Sequence, residues 1–193
     1  MMAMDGHLSA GFLLDRQWHW LRGEMEQSKR PVLLALGRIL EQSRVPYAII
    51  GGLALQIHQR EPRTTLDIDV AVTGRDVIPS RALSEAGFRH LESFEHSENW
   101  VAADGVPVQF NDDPALGPAI GRADVLVLEG VTLRVIGVVD LLHEKLRAGR
   151  DPARRRSKRL QDLADAQALI ESNPNLREQL TTDEQAVLDS LPG

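Results

Sequence analysis

The sequence has no cysteine among its 193 residues, which excludes a disulfide framework and thiolate chemistry. It has no apolar run near the roughly 20 residues that span a bilayer, so no membrane segment is expected. The first twenty residues carry Asp5, His7, Asp15 and Arg16 among apolar positions. They lack the charged start, apolar centre and small-residue exit of a signal peptide. Together these absences give the expectation of a cytoplasmic protein. No Gly-x-Ser-x-Gly run occurs, which argues against a serine hydrolase. His90, His96 and His143 form no metal-ligand spacing. Internal repeats and low-complexity tracts are absent too.

A net charge of -6 argues against a general polyanion binder. The charge is uneven, however. Residues 147–159 read RAGRDPARRRSKR, with Asp151 the only acid. Two readings of this block stand: a solvated loop and helix start, or a local surface that attracts phosphate.

Apolar spacing predicts a helix over 30–43, a strand over 45–50 ending at Gly51-Gly52, and a short helix over 53–58. A strand follows over 66–72, in which Leu66, Ile68, Val70 and Val72 face one way and Asp67, Asp69 and Ala71 the other. A helix over 77–86 comes next. Asp104-Gly105 joins strands over 99–103 and 106–110, and Glu129-Gly130 joins strands over 125–128 and 131–135. Helices over 138–148, 157–171 and 175–188 complete the chain. Mixed elements first and helices last give an α/β (α+β) core with a helical C-terminal part. Residues 1–29, with Trp18 and Trp20, form an N-terminal extension without an assignment.

Asp67 and Asp69 are i and i+2 on one strand, so their carboxylates share a face with Cα atoms about 6.5 Å apart. Two such acids repel unless something positive sits between them. Mg²⁺ takes one or two carboxylates plus phosphate oxygens and waters. Upstream, Gly51-Gly52 opens a helix, where bare backbone and free amides suit phosphate.

The segment IIGGLALQIHQREPRTTLDIDVAV resembles the signature of the DNA polymerase beta-like nucleotidyltransferase superfamily. It is most similar to the bacterial branch that includes abortive-infection and toxin-antitoxin nucleotidyltransferases. There a Gly-Gly and a helix precede an Arg-x-Thr-x-Asp-hydrophobic-Asp run, here Arg63, Thr65, Asp67 and Asp69. The later stretch LLHEKLRAGRDPARRRSKRLQDLADAQALI resembles the same branch through Lys145-Leu146 and through Asp162-Leu163 to Asp165. The likeness covers residues 45–170.

The resemblance implies a nucleotidyltransferase-type mixed β-sheet flanked by helices, with a core over 30–136 and a helical region over 137–193. It implies transfer of a nucleoside monophosphate from an NTP to a hydroxyl of a protein, RNA or small molecule. Asp67 and Asp69 would be catalytic and hold Mg²⁺ or Mn²⁺. Gly51, Gly52, Arg63, Thr65 and Lys145 would bind the nucleotide. A cognate antitoxin or regulatory partner belongs to the same implication.

From the residues alone, Arg63 either clamps phosphate or pairs with the aspartates, and Thr65 is a good strand residue. Lys145 is either a solvated helix flank or a point charge for the triphosphate. Asp162 and Asp165 either pair along their own helix with Lys158 and Arg159, or Asp162 positions Lys145 or an arginine. One departure from the family pattern stands out. A third acid is expected on the strand VPVQF, and Gln109, which cannot act as a base, occupies that place. Asp112 or Asp113 would reach it only through a bent strand. Three explanations therefore stand: a bent strand, slow chemistry with two acids, or nucleotide binding without turnover. A nucleic-acid-binding protein led by Arg154–Arg159 is a further class.

Overall fold

The computed structural model describes residues 8–14, 29–61 and 64–191, and the statements below concern those residues. Residues 8–14 are helical, denoted α1, and bury Leu8 and Phe12. Helical apolar spacing yields α2 (Lys29–Gln42), with Val32, Leu33, Leu36 and Leu40 buried. Next come β1 (Tyr47–Ile49), α3 (Gly51–His58) and β2 (Ile68–Val72). The middle of the chain holds α4 (Ser80–Glu85), β3 (Arg89–Ser93), β4 (Ser97–Val101) and β5 (Pro107–Asn111). It continues through α5 (Gly117–Gly121), β6 (Asp124–Leu128) and β7 (Val131–Val135). The helices α6 (Val138–Arg150), α7 (Arg156–Ser172) and α8 (Thr182–Asp189) come last.

The strands form one mixed sheet in the order β3-β4-β5-β2-β1-β7-β6. β2 runs parallel to β5 and β1 parallel to β7, while the other neighbours are antiparallel. The central strands β1 and β2 are covered on both faces, which is why their residues are almost all apolar. α2 packs on β7, α3 on β2, and α6 pairs with α7. The architecture is a mixed sheet flanked by helices with a helical C-terminal region, as expected. No helix of the described residues is long and apolar enough to cross a membrane.

The hairpin at Glu129-Gly130 forms with Leu128 opposite Val131 and φ of +50° and +75° at the two turn residues. Those left-handed values are what a two-residue turn between twisted strands requires. At Asp104-Gly105 the turn is wider, because β4 ends at Val101 and β5 begins at Pro107.

Four expectations need correction. β3 has no counterpart in the sequence reading: it is an exposed edge strand of sequence RHLES, so burial imposes no alternation on it. Leu66 and Asp67 lie in a bend ahead of β2 rather than on the strand, and Leu66 is 53% exposed instead of facing the core. Ala71 is buried despite sharing a strand face with Asp69, because both faces of this central strand are covered. The last expected helix is two elements, a 3-10 helix over Pro174–Gln179 and then α8. Thr181 and Glu184 form a capping box that starts α8 afresh.

Phe110, 1% exposed at the centre of β5, anchors the strand beside β2. Phe110→Ala is expected to cost about 3–5 kcal/mol in chemical denaturation. Leu91→Ser on the exposed β3 should stay within about 0.5 kcal/mol.

Candidate active site

β1 delivers the chain to the site. The Ile50 N–H donates to the Asp69 carbonyl at 3.0 Å, which seats the start of α3 over β2. Gly51 has φ +62°, and a Cβ there would run into the Asp69 carboxylate. A Cβ on Gly52 would run into Thr65. The glycine pair is thus required by the acidic segment itself, before any ligand is considered. α3 starts without a side-chain cap, so its first-turn amides are available to an anion.

These residues open on a cavity of about 660 Å³. One wall carries Gly51, Gly52, Thr65, Asp67, Asp69 and Gln109. The facing wall comes from α6 and the start of α7, with Lys145, Arg154, Arg155, Lys158, Asp162 and Asp165. Of the residues singled out in the sequence, Gly51, Gly52, Thr65, Asp67, Asp69 and Lys145 therefore meet in one place. Arg63 lies outside the described residues. Thr65 precedes β2 rather than belonging to a strand, and its hydroxyl donates to Asp67 Oδ1 at 3.1 Å.

The electrostatics follow from this crowding. Asp69 keeps some contact with the cavity, yet protein surrounds its carboxyl on most sides. Burial first, and the charge of Asp67 second, push its pKa up to about 7, with Lys145 pulling the other way. Lys145 is buried rather than a solvated flank. Its Nζ donates to Asp162 Oδ1 at 2.9 Å and lies 3.3 Å from Asp165 Oδ2. Burial alone would lower its pKa, but Glu144, Asp162 and Asp165 outweigh that and raise it, so it stays charged. Arg154 Nε donates to the other oxygen of Asp162 at 2.8 Å. Asp162 and Asp165 therefore hold Lys145 across the α6–α7 interface.

Gln109 is the β5 partner of Asp69 in the parallel ladder, and its amide donates to Asn99 at 2.9 Å. Neither acid further along takes its place. Asp112 pairs with Arg75 at 2.9 Å, and Asp113 caps the next turn and pairs with Arg147 at 2.8 Å. The bent-strand explanation is thereby removed. Among the described residues no group of three or more His, Cys, Asp or Glu side chains is arranged to hold a metal ion. The pair itself fits Mg²⁺: both donors are hard carboxylate oxygens, and Asp69 carries a repulsion that a cation would relieve.

Sequence reasoning did not single out Arg155, and it took Lys158 only as a helix partner for Asp162 and Asp165. The signal was the run Arg154–Arg159, but which of its members turn inward depends on how α7 lies against α6. Arg155 and Lys158 form no ion pair among the described residues and face the acidic wall.

No protein-family model matches this sequence, nor does any curated protein. Solved structures do resemble it. A protein of H. pylori, itself only a candidate nucleotidyltransferase, matches with a TM-score of 0.51 and 17% identity over 79% of this chain and 71% of that one. An antigenic nucleotidyltransferase-like protein of Paracoccidioides brasiliensis gives 0.49 and 19% over 83% and 91%. ANT(2")-Ia, solved with adenylyl-2"-tobramycin, gives 0.48 and 16% over 78% and 97%. The chain thus shares the fold of that H. pylori protein.

Two outcomes are expected of this geometry. Because Asp69 has its pKa raised from the ordinary 3.8, the folded state holds its proton between about pH 4 and 7. Stability from that proton is present at low pH and lost as pH rises through 7. In EDTA, Asp69→Asn should therefore melt higher than wild type at pH 8 and show little gain at pH 4. Each kcal/mol is worth roughly 2–4 °C for a chain of this size. Adding Mg²⁺ should raise the wild-type melting temperature and leave the variant unchanged. Separately, Lys145→Ala removes the buried ammonium that Asp162 and Asp165 share and should cost about 3–5 kcal/mol in urea unfolding.

Proposed function

We propose that this chain is an Mg²⁺- or Mn²⁺-dependent nucleotidyltransferase that moves a nucleoside monophosphate from an NTP to a hydroxyl. One observation carries the reading: a carboxylate pair, a glycine-opened helix start and a cationic wall converge on a single cavity. On this reading Asp67 and Asp69 hold the metal, and the α3 amides behind Gly51-Gly52 take phosphate oxygens. Arg155 and Lys158 meet the remaining charge of the triphosphate. Lys145, already committed to Asp162 and Asp165, acts as a fixed positive charge at the rim. The metal, when bound, would neutralise charge on the transferring and leaving phosphates. Residues 30–136 would form the nucleotide-binding core, with 137–193 supplying the cationic wall.

The acceptor is a hydroxyl of protein, RNA or a small molecule. A cytoplasmic toxin-antitoxin or phage-defence setting, with a cognate antitoxin or regulatory partner, follows from the sequence resemblance. A second reading, nucleotide binding without turnover, is favoured by one specific observation: neutral Gln109 stands opposite Asp69.

Calorimetry with each NTP and Mg²⁺ tests the first reading, alongside pyrophosphate release with RNA and protein acceptors. The expected result is metal-dependent binding that Asp67→Ala/Asp69→Ala abolishes, with pyrophosphate released. Binding without release would select the second reading. Absence of metal-dependent binding would reject both.

A further inference from the structure

A second cavity, of about 880 Å³, adjoins the first, and Asn111, Asp113, Glu144, Arg147 and Glu184 form part of its wall. Three observations make the two contiguous. Arg154 lines both. Gln109 and Asn111 are alternate residues of β5, so one strand face passes from the first cavity to the second over about 6.5 Å. Lys145 and Glu144, neighbours on α6, line the first and the second respectively.

Most charges in the second cavity are paired. Asp113 pairs with Arg147 at 2.8 Å, His143 with Glu184 at 2.8 Å, and Arg154 with Asp162 at 2.8 Å. Glu144 differs. Its Oε2 is shut away from solvent and has no hydrogen-bond partner among the described residues. Burial raises its pKa, against the pull of Lys145, and its charge in turn helps to raise that of Asp69. Glu144 therefore lies within electrostatic reach of the acidic pair. A buried acceptor without a donor is costly, by about 1–3 kcal/mol or more for a charged group. Such an oxygen is suited to a donor that arrives with a ligand.

We propose that the second cavity receives the acceptor and that Glu144 takes the proton of its attacking hydroxyl, supplying from α6 the carboxylate that β5 lacks at Gln109. This rests on the nucleotidyltransferase reading. In the step, the acceptor O–H bond breaks and its proton passes to a Glu144 oxygen. The acceptor oxygen bonds to the α-phosphorus, and the bond from that phosphorus to the pyrophosphate oxygen breaks. Pyrophosphate leaves with the electron pair, and Glu144 later gives its proton to solvent. The ligand class is an alcohol, and water takes its place when no alcohol is supplied.

The test measures Mg²⁺-ATP binding, melting temperature and pyrophosphate release without added acceptor in wild type, Glu144→Gln and Glu144→Gln/Gln109→Asp. Glu144→Gln should bind Mg²⁺-ATP within about twofold of wild type and melt no lower. Its pyrophosphate release should fall by about 100-fold or more, the usual contribution of a general base. The double variant, with a carboxylate restored opposite Asp69, should recover at least about tenfold of that loss. Wild-type release by Glu144→Gln would overturn the proposal. So would a lower melting temperature, which would make Glu144 a structural residue. Wild-type protein that binds Mg²⁺-ATP but releases no pyrophosphate overturns the proposal while leaving nucleotide binding standing. Failure of wild type to bind Mg²⁺-ATP rejects the functional reading itself, a result distinct from the others.

Discussion

Asp69 on the buried strand β2 and Asp67 in the bend just ahead of it repel each other, and the rest of the site is arranged around that repulsion. β2 cannot relax it, because Ile68 and Val70 are fully buried and the strand is hydrogen-bonded on both sides by β1 and β5. Asp69 has no room to turn away either, since the start of α3 lies directly over it. The segment accommodates the strain in charge rather than in position. The Asp69 carboxyl holds a proton up to about pH 7, and Asp67 Oδ1 accepts a hydrogen bond from the Thr65 hydroxyl. A rigid, electrostatically unfavourable pair is also a preorganised one: a divalent cation would find two hard oxygen donors already in place.

The positive charge that balances this face comes from a different part of the chain. Lys145 crosses from α6 to reach Asp162 and Asp165 on α7, and Arg154 closes on Asp162 from the intervening turn. This buried network sets how α6 and α7 pack, and so where the start of α7 points. Arg155 and Lys158 then line the same cavity as Asp67 and Asp69, with no ion pair among the described residues. The division is functional as well as structural. Lys145 is spent on fixing the helices, whereas the cations of the α7 start are free to meet an anion.

The acidic strand, the glycine pair and the helical C-terminal part were legible because each is written locally. Alternation marks β2, a Gly-Gly marks the start of α3, and helical spacing marks α6 and α7. β3 was not legible because an exposed edge strand carries no burial pattern. The break before α8 was written in Thr181-x-x-Glu184 but overridden by apolar spacing on either side. Two side-chain roles needed the third dimension. Lys145 resembles any flank lysine until α7 is laid against it. Gly51 and Gly52 look like a phosphate turn, and only the fold shows that Asp69 and Thr65 occupy the space of their missing side chains.

The neutral residue at Gln109 also takes its meaning from the charge on β2. A carboxylate there would sit directly across the parallel ladder from Asp69, adding a third negative group where the second is already held half-protonated near neutrality. Its own affinity for a proton would rise with that of Asp69, and neither would be dependably ionised in the absence of a cation. Gln109 instead makes a neutral hydrogen bond to Asn99. An acid carried on α6, one strand residue further along the cavity wall, feels the pair more weakly and has the cations Lys145, Arg147 and Arg154 about it. Moving the base from the strand to the helix separates metal binding from proton transfer, and it places the base on the side of the site from which an acceptor can enter.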